Sequence, residues 1–348
     1  MTRSFTIAFC TTSMNRLHHL QQTLEKNIQD NYLRGEVEFI LLDYNSNDGL
    51  DKWIEQNMQQ HIEQGILVYY KTFEPTHYQR SHSRNMAFRL ANAEILCNLD
   101  ADNFLGEGFA SYILNEFEKF SAEKIFVTSS CRSRDLFGRV CVKADDFDNI
   151  RGYNESLSGY GAEDLDLLDR LLRSGLKQKV FLDQRFYRVI HHSHHERIAN
   201  EYRFKQIDSV YLAHEAPYKI KFLLFRKDGK CESGSLINNE LCNFNHNKKF
   251  ENIIDQYYDD VNRIMLDSFL LKENLQYTES ETIEECGDVY FKIKDKEMLA
   301  QFIFYLSEAE NFEIIRKIRN NKEIVNSNGF GKGQVYKNFD YNNTITLD

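Results

Sequence analysis

The stretch "EILCNLDADN", residues 94–103, is an apolar run that ends on two aspartates and an asparagine. Ile95, Leu96, Cys97 and Leu99 show no polar alternation, as expected for a strand covered on both faces. Helical patterns flank the run near 81–93 and 107–120. Similar short apolar runs recur: "SFTIAFC" (4–10), "EFILLD" (38–43), "ILVYY" (66–70) and "KIFVTS" (124–129), with further helices expected near 15–29 and 50–60. Strands alternating with helices predict an α/β fold, a mainly parallel central sheet flanked by helices.

Such sheets bind ligands beyond the carboxyl ends of their strands. "TTSMNR" follows the first strand, "DYNSNDG" the second and "DADN" the fourth, so hydroxyls, amides and carboxylates collect on one edge. Each piece has a plain structural reading, since Thr11, Thr12 or Ser13 can cap a helix and "NSNDG" is a ready turn. Together they read as a site. Asp100 and Asp102, two residues apart, share a face of an extended segment. Paired carboxylates repel unless a cation lies between them, and Mg²⁺ or Mn²⁺ suits oxygen ligands and bridges to phosphate.

Two more segments carry chemistry. "VIHHSHHE" (189–196) places four histidines in five positions. They are either a solvated run or the source of an imidazole for a carboxylate-bound Mn²⁺. "GYNESLSGYGAEDLDLLDRL" (152–171) crowds Glu163, Asp164 and Asp166 at the start of a leucine-rich helix. Acids are favoured there by the helix dipole, which also keeps a carboxylate ionised and ready to act as a base. Asp166 and Asp169 precede Arg170 and Arg173 at pairing distance along a helix. Gly159 and Gly161 allow a tight backbone bend, and Tyr153 and Tyr160 offer ring faces for a sugar.

Composition narrows the classes. The 348 residues are 42% hydrophobic and 28% charged, with a net charge of −10, and fit a globular protein of one large or two ordinary domains. The acidic balance disfavours nucleic acid as a partner. No apolar run reaches the roughly 18 residues of a membrane span, and the N-terminus enters a strand without a signal-peptide pattern. Seven cysteines without paired spacing argue against a disulfide framework and for a cytoplasmic setting. Any membrane contact would be peripheral, at the inner face.

Taken in order, "CTTSMNR", Asp43, "SHSRNMA", "DADN", "GYNESLSGYGAEDLDLLDRL" and "VIHHSHHE" resemble the motif series of nucleotide-sugar glycosyltransferases of the GT-A fold. The likeness covers about residues 4–196. It is closest to family 2, with a block like the C-terminal domain of the β-1,4-galactosyltransferase type, although Tyr160 stands where tryptophan is usual. The resemblance implies a bacterial enzyme of polysaccharide biosynthesis, a metal-dependent inverting transferase that uses Mn²⁺ or Mg²⁺. The donor would be a nucleoside-diphosphate sugar, by analogy a UDP-sugar, and the acceptor a glycan or lipid-linked glycan. Thr11, Thr12, Arg16, Asp43, Arg84, Asp100, Ala101 and Asp102 would bind the donor. Asp102, with Asp100 and His192, would hold the metal, and His191 is the runner-up to His192, with His194 and His195 the other histidines of the run. Asp164 would be the base, and Glu163 would assist with acceptor hydroxyls alongside Tyr153, Tyr160 and Gly161. The rivals are a nucleotidyltransferase acting on a sugar phosphate and a non-catalytic carbohydrate-binding module. "TTSMNR" lacks the glycine-rich phosphate loop of the former. A histidine metallohydrolase lacks its HExxH helix.

The expected domains are a GT-A domain at 1–214, a helical or α+β extension at 215–323 and a polar tail at 324–348. The extension should contain a hairpin at Asp228-Gly229 and long helices near 247–271 and 295–320. Its role and the oligomeric state are not written in any motif.

Overall fold

The computed structural model describes residues 3–130, 134–216, 219–237, 240–241, 282–285 and 287–348. The helix expected at 247–271 lies outside the described residues. Two compact units emerge: residues 1–156, 167–191 and 324–348 form the first, and residues 157–166 and 192–323 the second.

The first unit is the expected α/β layer. Strands β1 (Phe5–Ser13), β2 (Val37–Tyr44), β3 (Leu67–Thr72) and β4 (Ala93–Asn98) lie parallel in the order β3-β2-β1-β4. Every residue of β2 is buried, which accounts for its unbroken apolar reading. β5 (Ile125–Thr128), the antiparallel β6 (Val140–Lys143) and β7 (Lys177–Val180) extend the sheet beyond β4. Helices α1 (Leu17–Asn31), α2 (Leu50–Asn57), α3 (Gln59–Glu63), α4 (Arg80–Leu90), α5 (Phe109–Lys119) and α6 (Ala144–Asn149) connect the strands. Leu20, Leu24 and Ile28 of α1 pack with Phe9, Phe39 and Phe109 in one core. The helix α7 (Glu163–Arg173) follows α6. Arg173 Nε donates to Asp169 at 2.7 Å, as the spacing predicts, and Arg170 donates to the carbonyls of Ile150 and Gly152.

The second unit combines helices with an antiparallel sheet. Short helices α8 (His194–Ile198) and α9 (Tyr202–Gln206) lead into β8 (Ile207–Ala216), β9 (Lys219–Arg226), β10 (Cys231–Ile237), β11 (Glu240–Leu241), β12 (Thr282–Glu285) and β13 (Asp288–Lys292). These strands form an antiparallel sheet, with the β9–β10 hairpin turning at Asp228-Gly229 as expected. Phe302, Ile303 and Leu306 of α10 (Lys296–Asn321) bury against Val210, Leu212 and Phe222. Asp295 caps this helix through the Met298 amide.

The polar tail expected at 324–348 is a correction, because the chain returns to the first unit. β14 (Gly333–Lys337) and β15 (Asp340–Leu347) form a hairpin, and β14 pairs antiparallel with β3. Asn338 and Phe339 at its tip have φ of 48° and 67°, the left-handed pair that a two-residue hairpin turn needs. Only Val335 and Leu347 are buried in the hairpin. With so few apolar positions, composition alone points to a polar tail.

Glu38 on β2 is only 3% exposed and accepts the Asn92 amide at 2.5 Å. Burial pushes its carboxyl from an ordinary 4.5 up to about 7, against the pull of the Asn92 hydrogen bond and Lys337. The folded state therefore holds a proton that the unfolded chain has released. The associated stability is complete below about pH 4.5 and is lost as pH rises through 7, by roughly 3 kcal/mol. In urea titrations from pH 5 to 8, the wild type should lose stability relative to Glu38→Gln by that amount. A wild-type-minus-variant difference that stays flat would contradict the buried proton.

Candidate active site

In the first unit, the carboxyl ends of β1, β2 and β4 carry the expected groups. Thr11 is buried, and Thr12 Oγ1 lies 2.7 Å from Tyr78 Oη and accepts from Ser83 Oγ at 3.4 Å. The loops after β1 and β2 are stitched together. Asp48 accepts the Leu17 amide at 2.8 Å, Ser46 Oγ accepts the Asn15 amide at 3.0 Å, and Asn15 Oδ1 accepts the Asn47 amide at 2.8 Å. Arg16 is the residue before α1 and half-buried. Asp43 anchors this floor from beneath, accepting from the Ser46 amide at 2.7 Å and Tyr69 Oη at 2.8 Å, with Lys71 Nζ 3.4 Å away. Burial raises its pKa despite Lys71 and these hydrogen bonds.

Asp100 receives Arg84 Nη2 at 3.0 Å and Asn98 Nδ2 at 3.1 Å. Burial alone would raise its pKa, but Arg84, Asn98 and the nearby Arg80 lower it overall. Arg84 is itself buried, its guanidinium 5.3 Å from the Tyr153 ring centre. α4 thus brings two arginines, Arg80 and Arg84, to the aspartate edge. Asp102 is partly exposed.

A polar ladder on α1 sets the path of this loop. Thr23 Oγ1 donates to the Ala101 carbonyl at 2.7 Å, and Asn27 Nδ2 to the Asn103 carbonyl at 2.9 Å. Asn27 Oδ1 accepts the Leu105 amide at 2.8 Å, and Asn31 Oδ1 the Ala110 amide at 2.9 Å. Positions 23, 27 and 31 are one turn apart on a single helix face. On the other side, the Ile190 amide donates to the Asp102 carbonyl at 2.8 Å, and Asn103 bridges to Val189. The fully buried Arg139 donates to the carbonyls of Phe104 at 2.9 Å and Phe186 at 2.7 Å, tying the two segments together. The histidine run therefore begins where the chain leaves the DADN loop.

In the second unit, the loop before α7 is shaped by positive φ at Gly159 (74°), Gly161 (99°) and Ala162 (68°). A methyl group at Gly161 would come within 2.9 Å of Glu308 Cβ, so only glycine fits there. α10 holds the loop in place. Asn311 Oδ1 accepts the Ser158 amide at 3.1 Å, and its Nδ2 donates to the Gly161 carbonyl at 2.8 Å. The Tyr160 ring sits 4.4 Å from that of Phe304 and 5.5 Å from the Arg197 guanidinium. Glu163 is buried, while Asp164 is partly exposed in the first turn of α7.

The four histidines separate by environment. His194 Nδ1 and its amide both engage Glu297 Oε1, at 2.9 and 2.7 Å, and the His195 amide bonds Glu297 Oε2 at 3.0 Å. The His195 ring stands edge-on to Phe204. In the first unit, His191 Nδ1 lies 3.1 Å from Asp135 Oδ2. His192 Nδ1 lies 3.3 Å from the Ser193 carbonyl.

Residues 9–155 match the family model described as Glycosyl transferase family 2, and residues 127–195 match the N-terminal domain of galactosyltransferase. Over residues 9–155 the chain is thus similar to the family 2 glycosyltransferases. No curated protein sequence matches this chain. Among solved structures it is similar to the mannosyltransferase PcManGT from Pyrobaculum calidifontis in complex with GDP-Man and Mn²⁺. That match has 19% identity, a TM-score of 0.43, and covers 52% of this chain and 55% of the other. A second is S. aureus TarS 1-349, with 12% identity, a TM-score of 0.43, and coverage of 51% and 58%. A third is GalNAc-T7 with UDP, GalNAc and Mn²⁺, with 12% identity, a TM-score of 0.41, and coverage of 50% and 42%. The matches span about half the length of these structures.

Several expected residues change meaning in the structure. Tyr153 is fully buried against Phe88 and Phe147, so it supports Arg84 and cannot offer a face to a sugar. Asp43 has no exposure, and both its oxygens are engaged, so it shapes the loop floor and presents no open carboxylate. Ala101 is buried and contributes through its carbonyl, which Thr23 holds. Arg80, Arg139 and the α1 ladder were absent from the expectations. A polar residue every fourth position on an otherwise leucine-bearing face was the available signal.

Proposed function

We propose that this protein is an inverting, metal-dependent glycosyltransferase that moves a sugar from a nucleoside-diphosphate sugar, by analogy a UDP-sugar, to a hydroxyl of a glycan or lipid-linked glycan. The observation that carries the reading is the held Asp100–Asp102 edge, where Asp100 is paired with Arg84 of α4 and Asp102 is partly exposed. Such a donor set fits a divalent cation: Asp102 as direct ligand, Asp100 in an outer role, and an imidazole from the histidine run, His192 before His191. His194 and His195 fit less well because Glu297 fixes their backbone and one ring. When bound, the cation would offset negative charge growing on the departing diphosphate.

The protein's own residues supply the remaining steps. Arg84 and Arg80 attract and orient the diphosphate. Thr11, Thr12, Arg16 and the loop built on Asp43 receive the nucleoside. Asp164, kept ionised at a helix N-terminus, takes the proton from the attacking acceptor hydroxyl. Glu163, Tyr160 and the Gly161 backbone position the acceptor. A single displacement would invert the anomeric centre. Any membrane association would be peripheral, and the setting proposed is the bacterial cytoplasm.

A panel of UDP-, GDP- and dTDP-sugars incubated with protein and Mn²⁺ tests the reading. One of them should be hydrolysed slowly without acceptor, and the turnover should vanish with chelator. Equal hydrolysis in excess chelator would remove the metal from the scheme.

A further inference from the structure

The second unit contains a cleft of about 390 Å³ lined by Ser158, Tyr202, Arg203, Gln206, Arg226, Glu232 and Glu310, with Ile207 and Leu224 at its base. Its volume falls in the range of small-molecule sites. Its polar groups form an ion-pair chain. Arg203 bonds Glu310 and, at 2.9 Å, Glu232. Arg226 bonds Glu232 at 3.3 Å and lies 3.4 Å from Asp228. Tyr202 at the rim is 50% exposed, whereas Leu224 at the base is buried.

This chemistry selects a ligand class. Each guanidinium is already matched by carboxylates, so the cleft has no surplus positive charge with which to attract a phosphate or another anion. A hydrophobic ligand would cover four charged groups and leave them without solvent, which is costly. A neutral polyol avoids both penalties. Each hydroxyl can donate one hydrogen bond and accept two. A vicinal diol laid across an Arg–Glu pair therefore finds an acceptor and a donor side by side. The ring of Tyr202 offers a flat apolar face for the C–H side of a pyranose while its hydroxyl stays in water.

We propose that this cleft binds the neutral, hydroxyl-rich portion of an oligosaccharide. Ser158 belongs to the same loop as Tyr160, Gly161 and Asp164, and that loop is fixed to α10 by Asn311. Glu310, one residue before Asn311, lines the cleft. A glycan seated here would thus engage the segment that carries the proposed base. The assignment rests on the sugar-transfer reading for its biological meaning and extends it from the reacting sugar to the units beyond it.

The test is a glycan array probed with the full chain, read alongside Mn²⁺-dependent hydrolysis of a nucleotide sugar. The wild type should retain at least one class of neutral oligosaccharide. Tyr202→Ala, an exposed change, should weaken that binding at least tenfold, and Glu232→Gln should weaken it similarly. Donor hydrolysis should be unchanged in Tyr202→Ala. Binding confined to phosphorylated or acidic glycans, undiminished binding in both variants, or no retained glycan would each overturn the assignment. Absent hydrolysis with intact, Tyr202-dependent glycan binding would instead count against the transferase scheme and leave the cleft standing.

Discussion

Asp164→Asn is expected to bind nucleotide and Mn²⁺ like the wild type yet transfer sugar about 10²- to 10⁴-fold more slowly, the range supplied by a positioned base. The substitution keeps shape and removes only the ability to accept a proton. The loop has several anchors besides that carboxylate, so a melting curve close to the wild type is expected alongside the loss. Asn311 bonds the backbone on both sides of Tyr160, the Tyr160 ring rests on Phe304, and the Asp166 amide closes the first helical bond to the Ala162 carbonyl. Titration calorimetry with the nucleotide and Mn²⁺ should show unchanged affinity, and product assays with donor and acceptor should show the loss. Proton NMR of the wild-type product should find an inverted anomeric centre. A retained configuration, or full turnover in the variant, would sink the assigned base.

The legible part of this protein was the part whose physics is local. Parallel strands buried on both faces read as unbroken apolar runs, so β1 to β5 were found near their observed bounds. The DADN and GYGAED blocks stood out because they occur together and in order with the other motifs, although acids at a helix start also have a plain structural use. Roles that depend on what lies underneath were not legible. Tyr153 reads as an exposed aromatic until Phe88 and Phe147 close over it, and Asp43 reads as a binding group until Tyr69 and Ser46 take its oxygens. Thr23, Asn27 and Asn31 look like ordinary polar positions on a surface helix. They are buried because the loop they face has backbone groups that require partners. The C-terminal hairpin hid for the opposite reason: it buries almost nothing, and its order comes from a two-residue turn and pairing to β3.

Asp102→Asn should cut Mn²⁺-dependent donor hydrolysis by at least about 10²-fold while leaving the fold intact, and it is a cleaner probe than Asp100→Asn. Asp100 is the carboxylate partner of Arg84, whose side chain is 4% exposed. Removing that charge leaves a buried guanidinium uncompensated, a defect of about 3–5 kcal/mol that would mix unfolding with lost function. The backbone around Asp102 has anchors of its own: its carbonyl takes the Ile190 amide, and the neighbouring carbonyls of Ala101 and Asn103 are held by Thr23 and Asn27. Those backbone bonds do not involve the carboxylate and survive in the amide variant, while a charged oxygen ligand is lost. A neutral amide is a weaker ligand for a hard cation than a carboxylate. Calorimetry should accordingly record Mn²⁺ affinity at least about 10²-fold weaker, beyond what is usual for changing a group outside the coordination sphere. Thermal melting without metal should stay close to the wild type. Undiminished Mn²⁺ affinity in this variant would mean that the cation is held elsewhere, and the proposed donor site would fall with it.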